Sequence, residues 1–240
     1  MKLVDLNSLD REKTYYHFTP RYNYESICEK GLLAKIGSNA NGIEKTPKVF
    51  FAIGNLGFLK ICDVWINWFI YKIALYDNVL KYNDISITEK MNLKRQFKNR
   101  FIKGAFYSDD YIIKAFEMMR HELENDIMFK LNLDESDYDL NDIDEAKSNE
   151  REEFINRMYL GNITSLDKVE SFNMHTKSNL GINNDKIEKI ICENNDSALY
   201  ILKEIYNKEK QNNMNLKFVF LDKFIEYVYG LNLNIKPQRM

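Results

Sequence analysis

Two short apolar runs flank a helical pattern near the start of the chain. Residues 14–19 gather aromatic and β-branched side chains and Pro20 ends the run, which predicts a short strand. In residues 23–30, Tyr24, Ile27 and Cys28 share one face at i, i+3 and i+4, and Gly31 stands where a helix-stopping glycine belongs. Residues 35–48 are polar, with Gly37, Asn39, Asn41, Gly42 and Pro47 marking a loop. Residues 49–53 form an apolar, β-prone run bounded by Pro47 and Gly54, which suits a buried central strand.

Residues 58–76 are helical in length. Lys60, Asp63 and Asn67 fall on one narrow stripe of that helix, so the rest of its surface is predicted to fill a core, Trp65 and Trp68 included, the other reading of the two tryptophans being a membrane or nucleotide surface. Two further helical patterns lie between residues 83 and 157, and His121 sits in one of them as a structural residue. Residues 90–103 interleave Lys94, Arg95, Lys98, Arg100 and Lys103 with Phe97 and Phe101. That pattern fits a solvated amphipathic face, or a nucleic-acid surface that stacks bases and contacts phosphates. Residues 133–153 are strongly acidic but lack the glycine and terminal glutamate of a calcium loop, so an exposed loop or helix start is predicted. Residues 168–176 read as a strand, 185–193 and 198–208 as helices, and 216–221 as a strand or helix start. The mixture predicts the α+β class.

Composition narrows the setting. With 45% hydrophobic and 13% aromatic residues in 240, the chain is neither disordered nor fibrous. Its net charge of −2 gives no global attraction to nucleic acid or an anionic membrane, so such binding requires a local patch. Cys28, Cys62 and Cys192 have no CxxC spacing and few histidines for company, which predicts reduced thiols and no metal site. The most apolar stretch, 56–76, is interrupted by Lys60, Asp63, Asn67 and Lys72, and no secretion signal opens the chain. A cytoplasmic protein with no membrane partner is expected, and abundant Asn, Lys and Ile fit an A/T-rich bacterial genome.

Of three histidines, His17 and His175 lie on predicted strands and are followed closely by the hydroxyls of Thr19 and Thr176. The series His17-x-Thr19, Asn23 at a helix start, Ile27, Gly31-Leu32, a glycine loop and the strand Val49-Phe50-Phe51-Ala52 resembles the NAD-binding half of ADP-ribosyltransferases, closest to the DarT-like and poly-ADP-ribose-polymerase-like branch. The resemblance spans about residues 14–54 and, more weakly, 168–190. It implies one domain over residues 1–240, with a split β-sheet core and a large helical insertion at about 56–165.

The same resemblance implies NAD as cofactor and transfer of ADP-ribose to a protein or nucleic acid, as in a bacterial toxin, phage-defence or mobile-element protein. In its terms His17 and Thr19 hold the nicotinamide ribose and carboxamide with help from Asn23. Gly31 and Leu32 border the cofactor, Phe51 (or Phe50 in the other register) stacks on nicotinamide, and the loop at 35–46 covers the nucleotide. The family's catalytic glutamate maps to Glu170. Strand alternation, however, groups Glu170 with apolar Phe172 and Met174, so His175 or Asn173 takes its place if the other face lines the pocket. Only Lys45 and Lys48 stand where DarT-like enzymes carry an arginine, so a DNA-base substrate does not carry over. An RNA 2′-phosphotransferase on the same pocket plan calls for several arginines, and Arg21 is the nearest to His17. A degenerate transferase fold that only binds a protein or nucleic acid is the non-enzymatic reading.

Overall fold

The computed structural model describes residues 1–9, 14–36, 46–102, 108–134, 136–137, 173–177, 179–193 and 195–230. The chain forms two compact units, one from residues 1–61, 122–149 and 164–216 and the other from residues 62–121, 150–163 and 217–240. Among the described residues, no helix is long and apolar enough to cross a membrane.

The first unit is built on a mixed six-stranded sheet, in agreement with the α+β class. Its strands are β1 (Lys2–Asp5), β2 (Tyr15–Pro20), β3 (Phe50–Ile53), β4 (Asp126–Leu131), β5 (Asn173–His175) and β6 (Ile187–Ile191), in the order β1-β6-β4-β2-β3-β5. β1 and β6 run parallel, whereas the other neighbours are antiparallel. β2 pairs with β4 over its whole length, from Tyr15 opposite Leu131 to Pro20 opposite Asp126.

Two of these strands depart from the sequence reading. Residues 126–131 lie within the expected helical insertion yet form the strand beside β2, so that region is not wholly helical. Residues 187–191 form β6 where a helix is predicted. Both strands are covered on both faces: in β6, Ile187 joins the core on one side while Ile190, three residues on and so on the other face, is fully buried. A doubly buried strand shows no polar alternation, and Ile187 and Ile190 mimic helical spacing.

Helix α1 (Tyr24–Lys30) covers one face of the sheet through Ile27, which packs with Leu32, Phe51, Ile127, Phe129 and Ile187. Full burial of such side chains contributes about 1.5–3 kcal/mol each. On the opposite face, Tyr16 packs on Phe58 and its hydroxyl donates to Asn55 at 2.5 Å, and the Asn55 amide donates to buried Glu209 at 2.8 Å. Burial, with Glu209 adding to it against a Thr14 hydrogen bond, raises the Tyr16 pKa, so this phenol stays protonated.

Helix α2 (Gly54–Leu75) starts in the first unit, where the Gly54 amide donates to the Thr14 carbonyl at 2.7 Å, and its later turns belong to the second. Its polar stripe is not the exposed one. Lys60, Asp63 and Asn67 are all buried, whereas Trp65 and Trp68 are half-buried against Phe69 and Tyr71.

The second unit also contains α3 (Ile87–Ile102), most of α4 (Asp109–Asn125) and α6 (Leu221–Tyr229), while α5 (Ala198–Asn212) belongs to the first and packs on β4. Of the two readings of residues 216–221, the helix start is the one that forms. Asp63 explains where it begins, because its Oδ1 accepts from the Phe220 and Leu221 amides at 2.7 and 2.9 Å. A buried carboxylate at a helix N-terminus satisfies donors that the helix itself leaves unpaired. Asp63→Ala is therefore expected to lower unfolding stability by about 2–3 kcal/mol, read from the midpoint of a urea titration followed by circular dichroism. An unchanged midpoint would show that α6 is held by packing alone.

Candidate functional site

His17 stands where the sheet parts. β2 and β3 pair only at Tyr15 with Ile53 and Tyr16 with Ala52, while β2 goes on pairing with β4 as far as Pro20. One residue beyond the last β2–β3 pair, the half-buried His17 ring bridges to β3, with Nδ1 2.9 Å from the Phe50 carbonyl oxygen. A carbonyl only accepts, so Nδ1 carries the proton and, in the neutral ring, Nε2 holds the lone pair. Burial lowers the His17 pKa, with the Phe50 hydrogen bond opposing, and keeps the ring neutral at neutral pH.

Thr19 follows two residues later on the same side of β2. The Asn23 side-chain amide donates to Thr19 Oγ1 at 2.9 Å, which fixes the hydroxyl and leaves its proton able to donate. Asn23 makes no capping hydrogen bond to α1, so its amide serves the threonine instead.

Other residues of the expected pocket sit differently. Phe51 is 2% exposed and meets Tyr15 edge-on at 5.6 Å, deep in the core, so its ring is not offered to a cofactor. Phe50 is half-buried and supplies its carbonyl to His17. Gly31 and Leu32 form a brace: Leu32 and Ile182 exchange two backbone hydrogen bonds of 2.8 Å, which ties the end of α1 to the segment before β6. The backbone of His175 lies opposite Phe50 in β5, and its side chain, like Asn173's, falls outside the described residues. Glu170 and residues 37–45 of the expected covering loop also lie outside them. Thr176 is structural, because its buried hydroxyl accepts from the Val49 amide at 3.0 Å and donates to the Leu180 carbonyl at 2.5 Å.

The structure adds residues that the sequence reading did not single out. Phe129 lies directly opposite His17, and Lys189 directly opposite Phe129, so the three share one face in a row across β2, β4 and β6. Tyr24 lies parallel to the Phe129 ring at 6.5 Å, and Lys189 Nζ sits 4.7 Å from the Tyr24 ring centre. A cleft of about 450 Å³ opens there, lined by Arg21, Tyr22, Tyr24, Glu25, Ile127 and Lys189. Asp196 binds both cations, Arg21 at 2.6 Å and Lys189. Burial pushes the Asp196 carboxyl up, but Lys189 and Arg21 outweigh it and hold the group below its ordinary range.

Asp126, the first residue of β4, is a second perturbed group. Burial, with Glu122 adding to it, raises its pKa to about 7. It alternates with Phe129 on β4, so it faces away from His17 and does not serve as the carboxylate that the resemblance implies. A carboxyl whose folded pKa exceeds its unfolded value binds more protons in the folded state, so its contribution to stability falls as pH rises from about 4 to 7. Asp126→Asn is expected to flatten the melting temperature over this range and to raise it at pH 7.5. A variant less stable than the wild type at pH 7.5 would contradict the assignment.

Compared with protein families, curated proteins and solved structures, the chain matches none.

Proposed function

We propose that the chain is an NAD-dependent ADP-ribosyltransferase acting on a protein or nucleic acid. The observation that carries this reading is the His17 ring at the parting of β2 and β3, its Nδ1 bonded to the Phe50 carbonyl so that Nε2 is the ring's acceptor, with the Asn23-held hydroxyl of Thr19 two residues on along the same side of β2. Cleaving nicotinamide from NAD breaks the bond between the pyridinium nitrogen and ribose C1′. The bonding electrons go to the nicotinamide, which leaves neutral, and positive charge builds on the ribose until an acceptor nucleophile attacks C1′ and loses its proton.

A neutral imidazole suits that charge. Nε2 accepts a hydrogen bond from a ribose hydroxyl, and a cation in its place would oppose the charge on the ribose. Thr19 donates its proton to the carboxamide, and the rigid β2–β4 ladder holds both groups in place. The carboxylate that polarises the ribose or the acceptor is assigned to Glu170 on the family resemblance.

Purified protein incubated with nicotinamide-labelled NAD and cell-extract fractions is expected to release nicotinamide, and NAD labelled in the adenylate half is expected to mark an acceptor. Absence of both, together with no heat of NAD binding by calorimetry, would leave the non-enzymatic reading in force.

A further inference from the structure

We infer that α3 is a docking surface for nucleic acid, held through its phosphates and not its bases. The helix carries Lys90, Lys94, Arg95, Lys98 and Arg100 against a single carboxylate, Glu89, in a chain whose net charge is −2. That carboxylate is already engaged. Ser86 donates to Glu89 Oε2 through its amide at 2.9 Å and its hydroxyl at 2.7 Å, and Ser86 Oγ accepts from the Glu89 amide at 3.3 Å. This is a capping box at the helix start, which holds the Glu89 side chain against Ser86 and leaves the five cations of the helix in excess of its one negative charge.

Folding does not account for this sequence. Of residues 87–100 only Phe97 is buried and Lys90 half-buried, while Ile87 at 79% and Met91 at 62% exposure lie open to solvent. Lys90 and Lys94 stand at i and i+4, which places like charges one above the other on the helix, and such a pair destabilises it. Arg95 widens the same flank, about 100° round from Lys94. A stripe that repels itself and covers no core gains stability when a polyanion lies along it, because each phosphate contact replaces repulsion with attraction and releases counterions.

Phe97, one of two candidates for base stacking in the sequence, is 4% exposed and packs on Tyr71 with ring centres 6.0 Å apart, and the Phe101 side chain lies outside the described residues. Among the described side chains of α3 the contact with nucleic acid therefore rests on charge, and no sequence preference is expected. Lys98 has a partner within the chain, so Lys94 and Arg95 are the residues to change. The inference stands apart from the NAD reading, because no step of it uses His17.

The test is fluorescence anisotropy of the full chain with labelled 30-nucleotide single-stranded RNA of mixed sequence, a duplex DNA of equal length, and a labelled polyglutamate peptide, each titrated from about 50 to 200 mM salt. Lys94→Gln combined with Arg95→Gln is expected to weaken oligonucleotide binding at least tenfold at low salt. It should also reduce the log–log salt slope on the single strand by about 1.4, the equivalent of two phosphate contacts. Met91→Ala, which leaves the charges in place, is expected to bind as the wild type does. The inference is overturned if no oligonucleotide binds, if the double variant keeps the wild-type slope with its helical circular dichroism intact, or if polyglutamate binds more tightly than either oligonucleotide.

Discussion

Replacing His17 with alanine is expected to slow nicotinamide release from NAD by at least about a hundredfold, the scale seen when one preorganised polar group is removed from a transition-state site. The fold should survive. His17 contributes one hydrogen bond, to the Phe50 carbonyl, and losing it costs about 1 kcal/mol, so the melting temperature should drop by only a few degrees. The pH profile supplies a second readout. Because burial lowers the His17 pKa, the ring takes up a proton only below its ordinary range, and with it Nε2 loses its lone pair. Release by the wild type should therefore stay flat through the ordinary histidine range and fall on a single limb only below it. Equal rates for the wild type and His17→Ala would remove the imidazole from the chemistry, however well the variant folds.

The largest effect on stability is expected at Gly31. Its backbone has φ 72° and ψ −167°, an extended conformation of positive φ that is essentially reserved for glycine, and an added Cβ would sit 2.2 Å from the Ile182 carbonyl oxygen. That oxygen is the acceptor of the Leu32 amide, so relief of the clash disrupts the brace between α1 and the strand segment beyond it. Backbone strain of about 1–3 kcal/mol and two weakened hydrogen bonds of about 1 kcal/mol each predict a loss of roughly 3–5 kcal/mol for Gly31→Ala. Gly230 provides the contrast. It too has positive φ, at 58°, but a Cβ there meets nothing within 4 Å, so Gly230→Ala should cost only the strain. Urea midpoints that fall equally in the two variants would show that the close approach to Ile182 relaxes without cost.

Local signals in the sequence were enough for β2, α1 and β3, because each is bounded by a residue with a fixed backbone meaning: Pro20, Gly31 or Gly54. The hydrogen bond between Thr19 and Asn23 was not read from the sequence, although four residues of chain bring the two together whatever the tertiary fold. β4 and β6 were not legible, because burial on both faces erased the alternation that marks a strand. That one error hid the row of His17, Phe129 and Lys189, which exists only once β4 and β6 are strands in register with β2. The fate of Phe51 was hidden differently. Two adjacent phenylalanines on a strand must point to opposite faces, and only the pairing with β2 decides which of them enters the core. On α2, a polar stripe could mean solvent contact or a buried polar junction, and the Phe220 and Leu221 amides that decide in favour of the latter lie more than 150 residues away in the chain.

The strand order also shapes how this protein emerges during synthesis. β2 is completed early, but its long partner β4 follows about 110 residues later, a delay of roughly 5–20 s on a ribosome adding about 5–20 residues each second. The outer edge of β4 then waits for β6, and β1, made first of all, gains its neighbour last. A nascent chain with open strand edges for that long invites pairing with other chains, so conditions that slow elongation or crowd nascent polypeptides bear hardest on the yield of folded protein.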